Sequence, residues 1–235
     1  MSDNWLSRPL LGFDTETTGT NVAEDRIVTA ALVLSTGPGR EREVVSTWLI
    51  DPGIPIPEQA QAVHKITTEH ARTHGMQPAQ ALNEIADMLA DALGQNIPVV
   101  AFNASFDLMI LEAELARNGL PTLAQRLGHD IAPVADPLVL DRNFDRFRKG
   151  KRTLTTLCEL YGVVQDGAMH TADVDVSATL DVLRAQAAKH TQIAQTPLPE
   201  LHAQQIGMHR AWAENFNEFL AKKGKPADVN TLWPL

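Results

Sequence analysis

An apolar run that breaks into paired acids constrains this chain more than any other feature. Leu10-Leu11-Gly12-Phe13 is apolar and free of proline, and Asp14-Thr15-Glu16-Thr17-Thr18-Gly19 follows directly. The run reads as a short buried strand. Successive side chains of an extended chain alternate between faces, so Asp14 and Glu16 leave from the same one. Thr17, Thr18 and Gly19 then end the strand. Carboxylates held this close repel and raise each other's pKa, an arrangement that is costly unless a cation sits between them. Hard oxygen ligands beside a polar turn suit Mg²⁺ or Mn²⁺. An Asp-x-Glu is also the ordinary end of a solvated strand, so the reading depends on what the rest of the chain brings to the same place.

With 235 residues the chain can bury one substantial core. No run is apolar enough to span a bilayer, and Met1-Ser2-Asp3-Asn4-Trp5 lacks the basic start and apolar stretch of a secretory leader, so no membrane partner is expected. The single cysteine, Cys158, excludes an internal disulfide and a cysteine-rich zinc site, and it fits a cytoplasmic location. The formal net charge of −9 argues against a general nucleic-acid binder. It leaves room for an enzyme whose acidic site holds metal ions and whose basic residues are concentrated locally.

Patterning places the further elements. Strands are expected over 26–35 and 44–50, joined as a hairpin through Gly37-Pro38-Gly39, over 97–102, and over 134–140 beginning near Asp136. Residues 54–75 read as loop with one short helix. Helices are expected over 78–93, with Leu82, Ile85, Leu89 and Leu93 on one stripe, over 106–118, over 153–161 with Leu154, Leu157 and Leu160 inward, and over 171–189. Strand, turn and helix in succession is the pattern of an α/β sheet. The character changes near His190, giving a domain over 1–190 and a C-terminal helical extension over 191–235. The extension holds a helix over 200–223 whose stripe is Leu201, Met208, Trp212, Phe216 and Phe219.

Asn103-Ala104-Ser105-Phe106-Asp107 lies where the strand at 97–102 gives way to a helix, a place where open α/β sheets aim side chains into a crevice. Asp107 is thus a third candidate carboxylate, though an acid in a first helical turn also serves the helix dipole. His170 precedes the long helix and Asp175 falls in its first turns; a histidine beside a helix-borne carboxylate suits general-base work near a metal. Asp173 is expected to face away from Asp175, toward solvent or the helix N-terminus. Four carboxylates and one histidine suit phosphodiester hydrolysis assisted by two metal ions.

These motifs, in this order, resemble the DEDDh family of 3′–5′ exonucleases, in the broad superfamily of the epsilon proofreading subunit of bacterial replicative DNA polymerase. The matching residues are Phe13 to Gly19, Asn103 to Asp107 and His170-Thr171-Ala172-Asp173-Val174-Asp175, and the resemblance covers about residues 8–188. Lys151-Arg152-x-Leu154 resembles the family's segment before the third motif. Val63-His64-x-Ile66-Thr67 resembles its Val-His-Gly-Ile segment, with Lys65 in place of Gly, and Phe102 stands where many relatives have His.

The resemblance implies an RNase H-like α/β fold, a mixed central sheet flanked by helices. It implies two divalent cations, Mg²⁺ or Mn²⁺, held by Asp14, Glu16, Asp107 and Asp175, with His170 as general base. Thr15, Thr17, His64, Asn103 and Phe106 fall at or near positions that hold the terminal nucleotide, although Phe106 reads equally as core. Lys151 and Arg152 are the favoured phosphate contacts in the basic stretch 142–152, which is otherwise a solvated loop. The implied reaction removes nucleoside 5′-monophosphates from the free 3′ end of a nucleic acid, single-stranded DNA favoured, in proofreading, repair or turnover. The rivals are an oligoribonuclease-like exoribonuclease, a catalytically silent module and a hydrolase of small phosphate esters. For the C-terminal stripe, packing on its own domain is the better reading; a dimer, a polymerase or a sliding clamp are the alternatives.

Overall fold

The computed structural model describes residues 4–37, 42–164 and 171–235. Most of the Gly37-Pro38-Gly39 turn, the Asp166-Gly167 loop and His170 lie outside the described residues.

Strand β1 (Leu10–Thr17) is the middle of a five-stranded mixed sheet ordered β3-β2-β1-β4-β5. Strands β2 (Ile27–Thr36) and β3 (Arg42–Leu49) run antiparallel, from Leu10 opposite Ser35 to Glu16 opposite Thr29 in the first pair. Strands β4 (Val99–Val100) and β5 (Val134–Ala135) continue the sheet in parallel with β1. Helices α1 (Glu58–His64), α2 (Thr68–His74), α3 (Pro78–Gly94), α4 (Ala104–Arg117), α5 (Leu123–Leu127), α6 (Pro137–Phe144), α7 (Leu154–Tyr161), α8 (Ala172–Lys189), α9 (Thr191–Gln195) and α10 (Leu198–Lys222) complete the chain.

The alternation of β1 sorts the molecule into layers. Leu11 and Phe13 join one core with Leu82, Ile85 and Leu89 of α3 and Leu108 and Leu111 of α4. Leu10 joins a second core with Val176, Leu180 and Leu183 of α8 on the opposite face. Gly12 faces α8, and a Cβ there would overlap Val176 Cγ1. The missing side chain lets α8 cross β1 closely, one residue along the helix from Asp175.

Three expectations change in the folded chain. The strand at 134–140 is two residues long, and the rest is helix α6. Proline 137 has no N–H for a sheet ladder and suits a first helical turn, while Asp136 caps that turn by accepting from Leu138 N at 2.8 Å. Leu160 is 43% exposed, whereas Leu157 and Cys158 carry the contact of α7 with Ala178 and Val182 of α8. The stretch 54–75 holds two helices, α1 and α2, not one.

The C-terminal helix α10 closes the sheet. Strand β5 is at the edge, with an outer row of backbone groups needing partners. The side chain of Gln205 accepts from Asp136 N at 2.8 Å and donates to Val134 O at 3.0 Å, and His202 Nδ1 accepts from Val134 N at 3.1 Å. These side chains stand where a further strand would. His202 and His209 are both buried, and His209 Nε2 lies 3.0 Å from Asn230 O. Replacing Gln205 with Leu keeps the volume and orphans a buried carbonyl and a buried N–H. Gln205→Leu is expected to cost roughly 2–4 kcal/mol in urea denaturation.

Candidate active site

The acidic cluster follows from the same alternation. Asp14 and Glu16 continue the α8-facing row of β1, and Asp175 comes from the first turns of α8 on that side. Asp14, Glu16 and Asp175 each place one carboxylate oxygen within 4.8 Å of the others. Thr15 points the other way, toward α4. Its N–H and its hydroxyl both donate to Asp107 Oδ1, at 3.0 and 2.7 Å. One strand residue therefore anchors the fourth acid while its neighbours present the first two. A shift in the β1–β2 register between Glu16 and Thr17 ends regular pairing at this point.

Asp107 depends on a second support. Asn103 links β4 to α4 in a left-handed conformation, φ 67° and ψ 46°, which asparagine tolerates better than most residues. Its N–H and that of Ala104 donate to Asp136 Oδ1 and Oδ2, at 3.1 and 2.9 Å. Asp136 is buried, caps α6 with the same carboxylate and holds the start of α4 in place. Sequence reasoning missed this role, although an Asp before Pro is a legible helix-start signal.

Packing carboxylates into one crevice raises their pKa values. Burial, then the charges of Asp107, Glu16 and Asp175, pushes Asp14 well above the usual carboxylate range. Burial and Asp175 push Glu16 up to about 7. Burial also carries Asp107 to about 7 against the opposing hydrogen bonds from Thr15. Among the described residues no cation figures in the charges acting on Asp14 or Glu16. A dense set of hard oxygen donors with uncompensated charge fits a divalent cation.

The remaining expected site residues divide. His64 is buried at the end of α1 and its Nδ1 accepts from Ile66 N at 3.1 Å, so the neutral ring carries its proton on Nε2. Burial lowers its pKa, and the Thr17 backbone acts in the opposite direction, which sets the ring against the acid-bearing end of β1. Lys65, where the resembling family has Gly, adopts φ 63° as the C-cap of α1, a conformation that explains a preference for glycine. A cleft of about 370 Å³ opens beside His64, lined also by Thr29, Trp48, His70, Thr171 and Asp173. Asp173 thus lines this cleft, an assignment beyond solvent or helix end. The Thr17 hydroxyl donates to Gly19 O at 2.6 Å and shapes the turn after β1. Phe106 is half-buried against the α3–α4 core, and the Asn103 side chain is exposed.

Of the two favoured basic residues, Lys151 is exposed. The Arg152 guanidinium is engaged within the protein: it ion-pairs with buried Asp141 and donates to the carbonyls of Asp145 and Arg148 at 2.8 and 3.2 Å. These contacts tie the stretch between α6 and α7 together.

A mixed sheet with helices on both faces thus holds a crevice of acids at the carboxyl end of its central strand. The RNase T-type exonuclease family matches residues 11–183, and the chain belongs to that family. The PolC-type DNA polymerase III of Streptococcus suis is 31% identical over 172 residues, covering 71% of this chain and 10% of that protein. The PolC-type enzyme of Streptococcus thermophilus is 33% identical over 171 residues, with the same shares of 71% and 10%. The chain spans about a tenth of the length of these relatives. Escherichia coli Exonuclease I bound to a dA16 oligonucleotide has a TM-score of 0.67 at 19% identity, covering 86% of this chain and 44% of that one. Exonuclease I from Methylocaldum szegediense has a TM-score of 0.62 at 21% identity, covering 79% and 42%. These two likenesses are of fold.

The raised pKa values predict how stability changes with pH. Between about pH 4 and about 7 the folded site holds protons that the unfolded chain has released, so in chelator stability falls as pH rises through that window. Asp14→Asn removes one of the repelling charges. Its urea midpoint at pH 7.5 in chelator is expected above that of the parent, with the difference shrinking toward pH 4.5.

Proposed function

We propose that this chain is a two-metal-ion 3′–5′ exonuclease, releasing nucleoside 5′-monophosphates from the 3′ ends of single-stranded DNA. The convergence of Asp14, Glu16 and Asp175 on one point, with Asp107 anchored beside them, carries this reading. A binding module has no need of clustered acids whose mutual repulsion the fold must bear. Family membership supports the reading, and E. coli Exonuclease I, a structural neighbour, has been solved with a DNA oligonucleotide.

In this mechanism Asp14, Glu16, Asp107 and Asp175 hold the ions, Mg²⁺ or Mn²⁺. Bound there, divalent cations supply Lewis acidity at the entering and leaving oxygens of the phosphodiester. Thr15 fixes the direction of the Asp107 carboxylate. His64, with its proton on Nε2, is a donor at the edge of the site, suited to the terminal nucleotide. His170, five positions before Asp175 in the sequence, takes the proton of the attacking water. The biological setting is proofreading in trans, repair or turnover, in the cytoplasm.

Digestion of 5′-labelled single-stranded DNA and RNA with Mg²⁺, Mn²⁺ or chelator tests the reaction. A cation-dependent ladder shortening from the 3′ end is expected, faster on DNA. Faster trimming of RNA would transfer the assignment to an exoribonuclease, and no cleavage of either would remove it. His170→Ala is expected to slow single-turnover cleavage by about 100-fold or more while the cation concentration for half-maximal rate stays put. An unchanged rate would mean that another group is the base.

A further inference from the structure

The basic stretch and the aromatic stripe of the C-terminal helix meet in one groove, and neither has a place in the site above. The groove lies between α6 and α10 and has a volume of about 260 Å³. Arg142, Asn143, Arg146, Trp212 and Asn215 line it, together with Met208. At its centre the Arg142 guanidinium lies on the Trp212 ring, 3.3 Å from the ring centroid. Trp212 stacks on Phe216 at 5.4 Å, and Phe216 on Phe219 at 6.2 Å, with interplanar angles of 15° and 14°. Phe216 and Phe219 are 38% and 52% exposed.

The chemistry of Arg142 points outward. The carboxylates acting on it, Asp136 and Asp141, both have other partners. Asp136 accepts from the backbone of Asn103, Ala104 and Leu138, and Asp141 pairs with Arg148 and Arg152. Among the described residues no hydrogen bond from the Arg142 guanidinium to protein is recorded, although burial depresses its pKa to about 10. A guanidinium held flat by an aromatic ring, with a fork of donors directed into a groove, matches a phosphate. Arg146 lines the same groove, and Lys223 sits over Phe219 at 5.9 Å. At 100° per residue, Glu214 and Glu218 fall on the opposite side of α10 from Trp212, so the acids of that helix do not oppose an anion here. In a chain of net charge −9, such a concentration of arginine on aromatic surface is specific in its placement.

We infer that the α6–α10 groove binds single-stranded nucleic acid away from its cleaved end, with Arg142 and Arg146 on a phosphate and bases stacked along Trp212, Phe216 and Phe219. Alternation of cation and aromatic face is how single strands are held without sequence preference. The groove adjoins the catalytic crevice through Asp136, whose carboxylate holds the start of α4 and whose charge acts on both Asp107 and Arg142. The inference rests on the proposed function and extends it to residues beyond the family match at 11–183.

The test uses the full chain carrying Asp14→Asn, with Mg²⁺ and a DNA 15-mer. Trp5, Trp48 and Trp233 are buried to 5%, 7% and 3% exposure, so Trp212, which lines the groove, is the indole that reports on it. The 15-mer is expected to quench tryptophan emission, and Trp212→Phe to abolish the quench. Arg142→Gln is expected to weaken binding about tenfold and to reduce the salt slope by about one, with Arg146→Gln acting in the same direction. Arg146 is exposed, so its variant stays informative if Arg142→Gln fails to fold. Tight binding with no quench, and the same affinity in both arginine variants, would overturn the inference and reassign the groove to an acidic protein partner. A parent chain that trims DNA in the ladder assay while the groove variants bind as their parent does overturns the groove alone. Absence of both trimming and binding overturns the proposed function with it.

Discussion

Mutual repulsion among buried carboxylates is the constraint on which the rest of this molecule depends. Asp14, Glu16, Asp107 and Asp175 would separate if nothing held them, and the raised pKa values of the first three record the strain of gathering them. The scaffold resists through rigid elements. The acid-bearing end of β1 is held in register by β2, and each acid is fixed by backbone geometry or by a neighbour that faces away from the cluster. Thr15 and Asp136 are such neighbours: both are buried, and both act on α4.

Gly12 shows how packing and chemistry are joined. Its bare backbone admits Val176, which brings α8 against β1 and Asp175 to the acids of the strand. The hydrophobic contact of Leu10 with Val176 and Leu180 stabilises the fold and sets the spacing of the carboxylates at once. A cation completing the cluster removes the repulsion and so couples metal binding to stability.

The C-terminal helix has two halves with different tasks. Its first turns supply Gln205 and His202 to the edge of β5, substituting for a strand and protecting that edge from pairing with another chain. Its later turns carry the aromatic stack beneath Arg142. The separation runs along the helix and not around it, since at 100° per residue Leu201, Gln205, Trp212 and Phe216 fall on one stripe.

Much of this was legible in the residue order. Period-two alternation in β1 determined that Asp14 and Glu16 share a face, and the apolar stripe of α3 determined its buried side. The long helices and the β2–β3 hairpin followed from patterns that depend only on near neighbours. Tertiary structure decided the rest, because the relevant partners are far apart along the chain. The pairing of Arg152 with Asp141 has no signal in the residue order, and Asp136 reads as part of a strand until Pro137 opens a helix. That Thr15 would anchor Asp107 across 92 positions, and that Arg142 would lie on Trp212, are consequences of packing. A sequence carries the face a side chain leaves from; only the folded chain determines what stands opposite it.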